Sequence, residues 1–172
     1  MPIMKSHMVT SLRLTALFAT AFLALGASAD TSLSHSDKSF VKKAAKSGFE
    51  EVDISRVVAA RTANPQVRAF AQKMVDDHSS ANEALATLAT SKGVDLPAKD
   101  TDDASKWSDK SGKDLDEDYM DKMVSDHKDA VALFQKEADK GDDADIKAFA
   151  RDTLPKLQHH LEMAMDLEKT LQ

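Results

Sequence analysis

KMVDDH at residues 73–78 and KMVSDH at residues 122–127 are nearly the same hexapeptide, written twice in one chain. Each ends in a histidine, and each lies in a stretch whose apolar residues recur at the three–four spacing of a helix burying one face. Around the first copy the series is Val67, Ala71, Met74, His78, Ala81, Leu85 and Leu88. Around the second it is Met120, Val124, His127, Val131, Phe134 and Ala138. In both, the histidine takes a place that the pattern assigns to the buried seam. Its purpose depends on what the rest of the chain brings to the same level.

Four stretches carry this periodicity. The first spans about Asp37 to Thr62, with Ser36 as its N-cap. The second opens at Asn64-Pro65, a capping residue followed by a proline that suits the first helical position, and closes at Lys92-Gly93. The third covers Leu115 to Lys140 and stops at Gly141, and the fourth runs from about Asp145 to Leu171. No stretch shows the period-two alternation or the hairpin dipeptides of strands. The chain is read as all-α.

The first and second helices are joined almost directly, as are the third and fourth, so each pair forms a hairpin. Between the hairpins lies a polar segment, Gly93 to Asp114, that holds the single tryptophan, Trp107. A helix of this length covers ~39 Å at ~1.5 Å per residue. At ~3.3 Å per residue an extended segment of that size outruns it. The expectation is a four-helix bundle with one long crossover between its second and third helices, which then run parallel. Trp107 should pack against the bundle, because a large aromatic in a polar segment needs apolar cover.

The other two helices also carry an ionisable residue on the seam. In the fourth the series is Ile146, Ala150, Thr153, Leu157, His160, Ala164, Leu167 and Leu171, with His159 on the flank. In the first, a weaker stripe of Phe40, Ala44, Gly48, Ser55 and Val58 places Glu51 near its centre. Glu51, His78, His127 and His160 all fall near mid-helix, so they share one layer whichever way the helices run. Two readings compete for that layer. In one, the imidazoles and the carboxylate satisfy each other and fix the register. In the other, they bind zinc or iron, as imidazoles and carboxylates on facing helices can.

Several motifs are missing. Three residues before His78, His127 and His160 stand Val75, Val124 and Leu157, so the Glu-x-x-His ligands of a carboxylate-bridged di-iron centre are not written here. There is no phosphate-binding glycine loop, nucleophile elbow or His-Glu-x-x-His helix. Asp76, Asp77 and Asp126 read as flank or solvent positions, Asn82 as a residue that orients His78, and the seam methionines Met74, Met120 and Met123 as core. Pro155 should bend the fourth helix.

Composition sets the setting. Lys5 and Arg13, the short apolar run Leu14 to Leu25 and the Ala27-Ser28-Ala29 site read as an export signal cleaved after Ala29. That run is too short to span a bilayer, which takes ~20 residues as a helix. Residues 30–172 are then a single domain, periplasmic or secreted, with no stable membrane insertion. A net charge of −6 without a basic stripe argues against nucleic acid. The absence of cysteine excludes disulfides, thiolate catalysis and thiolate metal sites.

Residues 36–171 also resemble a known family. The residues that carry the likeness are Gly48-Phe49-Glu50-Glu51-Val52, Asn64-Pro65 with Val67 to Asp77-His78 and Asn82, and Gly93-Val94-Asp95-Leu96-Pro97. Tyr119 to His127, and Lys147-Ala148-Phe149-Ala150 through Leu154-Pro155 to His160-Leu161, complete it. The set resembles the bacterial exported family of domain of unknown function 4142. That resemblance implies a ferritin-like bundle and no established activity. The expected function is an exported bundle of non-enzymatic character serving envelope stress tolerance, a monomer or weak oligomer, with enzymatic activity left open. The alternative is a metal-binding or metal-dependent redox protein built on the layer. A third reading is an interaction module whose partner contacts the crossover around Trp107.

Overall fold

The computed structural model describes residues 33–99 and 102–171. The export signal and its cleavage site lie outside the described residues. Among those residues every regular element is a helix: α1 (His35–Arg61), α2 (Pro65–Ser91), α3 (Asp102–Trp107), α4 (Gly112–Lys140) and α5 (Ala144–Leu171).

The helix ends follow local chemistry. Ser34, rather than Ser36, caps α1 by accepting from Asp37 N at 3.1 Å, so the helix begins two residues before the expected start. Asn64 caps α2, accepting from Gln66 N at 2.9 Å and Val67 N at 3.3 Å, with Pro65 just inside. At the other end Gly93 takes φ +65°, the left-handed turn that glycine adopts without a Cβ penalty. Gly93 N donates to Thr90 O and Val94 N to Ala89 O, closing the orphan carbonyls of the last turn. Asp143 caps α5 through Asp145 N and Ile146 N. That helix runs through Pro155 without ending.

α1 pairs with α2 and α4 with α5, and the hairpins meet along α1–α4 and α2–α5. Directions follow from named contacts. Asp37, at the start of α1, accepts from the backbone N–H groups of Asp142 and Asp143, just past the end of α4. At the opposite end Arg61 donates to Lys110 O and Thr62 to Asp116. Lys92, after α2, reaches Asp143 at 2.8 Å. So α2 and α4 are parallel across the bundle's diagonal, and the segment between them traverses its length. α3, which the periodicity did not mark, is a turn and a half of helix inside that crossover. It buries Trp107 to 8 % exposure, edge-on to Tyr119 at 6.1 Å between ring centroids.

The apolar core comes in two parts. One holds Phe40, Val41, Leu85, Phe134, Ile146 and Leu157. The other holds Ile54, Phe70, Met74, Leu115, Tyr119 and Met123. In every long helix one buried ionisable residue stands between the two: Glu51, His78, His127 and His160. The bundle is an apolar column cut by one polar layer.

Candidate metal centre

Each long helix supplies one member of the layer. All four side chains are buried, Glu51 at 2 %, His78 at 7 %, His127 at 0 % and His160 at 1 % exposure. His159, one residue away, is exposed on the flank. The three rings form a near-equilateral triangle, with centroids 5.5 Å apart for His78–His127, 5.3 Å for His78–His160 and 5.4 Å for His127–His160. One nitrogen from each ring can be chosen so that all lie within 4.8 Å of one another. Glu51 Oε2 is 2.9 Å from His78 Nε2 and 3.7 Å from His127 Nε2.

Glu51 and His78 pair with each other, whereas His127 Nε2 and His160 Nδ1 have no hydrogen-bond partner. The other nitrogens of two rings explain which way they face. His127 Nδ1 lies 2.9 Å from Met123 O, and a carbonyl only accepts, so Nδ1 carries the proton and Nε2 is bare. His160 Nε2 lies 2.8 Å from Asp77 Oδ2. Burial opposes the charge on Asp77, but bonds from Lys73, His160 and Lys156 outweigh it and hold the carboxyl well below its usual range. Nε2 therefore donates to a carboxylate, and Nδ1 is the bare atom. In both rings a backbone or carboxylate partner fixes the tautomer that turns a lone pair inward.

The electrostatics agree. Burial pushes His127 and His160 towards the neutral form, His160 to about 4. Burial acts the same way on His78, but the facing Glu51 carboxylate outweighs it and raises that ring. Glu51 is raised by burial and lowered more by His78, with His127 and His160 adding to the effect, and ends at about 2. The layer is thus a buried Glu51 carboxylate paired with His78, beside two neutral imidazoles whose bare nitrogens belong to the same cluster.

Asp77 departs from the sequence expectation. It is not a solvent-facing flank residue: it bridges α2 to α5 by holding His160 at 2.8 Å and Lys156 at 3.0 Å. The signal was the aspartate preceding the histidine in KMVDDH, which was read only for its own helix. Asp126, its counterpart in the second copy, pairs with Lys122 instead. Asn82, expected to orient His78, packs against Gly48, where a Cβ would fall 2.2 Å from its Oδ1.

Residues 23–167 match the family described as domain of unknown function (DUF4142). The chain belongs to that family. Three solved structures share the fold of this DUF4142 protein. A DUF305 fragment from Deinococcus radiodurans superposes with a TM-score of 0.68 at 13 % identity, covering 81 % of this chain and 97 % of that one. A DUF305 protein from Streptomyces coelicolor gives 0.69 at 16 %, covering 79 % and 92 %. A conserved hypothetical protein from Mycobacterium tuberculosis gives 0.61 at 16 %, covering 78 % and 96 %. At such identities the likeness is one of fold. No curated protein sequence matches the chain. Among the described residues no helix is long and apolar enough to cross a membrane.

Proposed function

We propose that this DUF4142 protein is an exported metal-binding bundle, holding one divalent transition-metal ion between His78, His127, His160 and Glu51. The observation that carries the reading is the convergence of three buried imidazoles, each offering a nitrogen within 4.8 Å of the others, with the Glu51 carboxylate 2.9 Å from one of them. A layer kept only for register would be expected to spend those atoms on one another, because an unmet buried polar group costs about 1–3 kcal/mol. Here the outer nitrogens of His127 and His160 are engaged and the inner ones are left bare. Three imidazoles and one carboxylate, with no sulfur, suit zinc or iron. A tetrahedral zinc site with bonds of ~2.0–2.1 Å sets its nitrogens ~3.3–3.4 Å apart, so the rings need close only modestly. Export rests on the N-terminal pattern of charge, apolar run and small residues.

The test is thermal unfolding of metal-stripped protein made without a histidine tag. Micromolar Zn²⁺ or Fe²⁺ should raise Tm, since a ligand at a hundred times its Kd stabilises the folded state by ~2.7 kcal/mol. His78→Ala/His127→Ala should abolish the rise, and His159→Ala should keep it. A wild type indifferent to both metals would leave the layer purely structural.

A further inference from the structure

We infer that the metal position is open on one side to a small exogenous ligand, a monoanion of two or three heavy atoms that completes the coordination sphere. This rests on the metal reading above and adds to it the chemistry of a fifth ligand.

The four donors are not equally enclosed. Glu51, His78 and His160 line a cavity between α1, α2, α4 and α5, whereas His127 is sealed off behind them. The cavity holds about 30 Å³. On the same measure a water needs ~10–15 Å³, so the space takes about two waters or one small anion. Pockets for organic ligands run to ~300–1,000 Å³, which excludes that class. Besides the donors, its lining is apolar at Leu85, Phe134 and Leu157 and polar at Ser47, Asn82 and Thr153.

Charge selects the guest. A metal at this position displaces the His78 proton to solvent, and three neutral imidazoles with one carboxylate then leave a divalent ion with a net charge of +1. In a buried site an uncompensated charge is costly, and a monoanion neutralises it. Lys156 and Asp77 also line the cavity, and neither offers it a free charge, because they pair at 3.0 Å. Gly48 also lines the cavity and carries no side chain, which leaves Asn82 room.

The experiment loads the full chain with Co²⁺ and titrates azide, reading the visible absorption bands of the metal. Azide should shift those bands saturably. Ala81→Leu and Ser47→Leu fill the cavity from α2 and from α1, and each should keep the cobalt bands while weakening the azide response at least tenfold. Two variants are used so that misfolding of one leaves the other to decide. Cobalt bands unmoved by azide would mean a closed four-coordinate site and would overturn this inference while leaving the metal reading intact. An azide response undiminished in a folded, filled variant would place the anion elsewhere and overturn it too. Failure of Co²⁺ to bind would remove both readings.

Discussion

At the scale of single residues, the decisive feature is a division of labour within imidazole rings. Met123 O and the Asp77 carboxylate take the outer N–H of His127 and His160, and this makes the inner nitrogens ligands rather than donors. Asp77 is therefore a positioning residue. It touches no metal, but it fixes the ring that does, and groups in that role commonly contribute ~10–100-fold to metal affinity. Asp77→Ala should weaken Zn²⁺ binding by that factor, measured by competition with a chromophoric chelator. Asp77→Asn keeps an acceptor for His160 and should weaken it less. Asp77→Ala also leaves the buried His160 Nε2 without its acceptor, which costs about 1–3 kcal/mol, so metal-free Tm should fall, and affinities are compared at a temperature where all three proteins are folded. Equal affinity in all three proteins would refute the positioning role.

At the scale of elements, the crossover holds the question of whether α2 and α4 run parallel by packing or by loop length alone. Trp107 argues for packing: α3 lays it into the core half formed by Ile54, Phe70 and Tyr119, with Lys110 Nζ 5.4 Å from its ring centre. Removing a buried tryptophan usually costs ~3–5 kcal/mol. A short helix in a connecting segment can relax, so Trp107→Ala should fall at about 3 kcal/mol, read from the urea midpoint of metal-free protein. A loss below about 0.5 kcal/mol, the range of ordinary surface substitutions, would show that the crossover is draped rather than packed.

At the scale of the whole molecule, one end of the bundle contains an acid pair that links stability to pH. Glu137 is 4 % exposed with an unpartnered Oε1. Burial, then the neighbouring Asp37 and Asp142, push its carboxyl up to about 7 from 4.5, with Lys136 opposing them. Below pH 4.5 the folded and unfolded chains both hold the proton, so the favourable state is fully present. As pH rises towards 7 the unfolded chain releases it first, and stability falls. The loss should be on the order of 1–3 kcal/mol across that window. Urea midpoints at either end of the window should differ accordingly, and Glu137→Gln, which stays neutral and can still donate to Asp37, should flatten the slope. An unchanged slope in that variant would place the pH dependence elsewhere.

The sequence by itself determined the four long helices, the crossover and three of the four inward-facing groups, but not α3. Seam spacing is a local property: the three–four pattern phases His78, His127 and His160 against apolar neighbours on their own helices. Loop length against helix length settles the topology in the same way. Glu51 was less legible, because its helix carries a stripe broken by Gly48 and Ser55. The first turn of α1 lies earlier than a Ser36 cap implies, because Ser34 is the residue that meets Asp37 N. What only the tertiary structure decided is the relation between helices. That Asp77 reaches His160, that Gly48 makes room for Asn82, and that one side of the layer faces a cavity all depend on side chains far apart in the chain meeting across an interface. Periodicity assigns a residue to a face of its own helix. It does not say which atom of a neighbouring helix that face will meet.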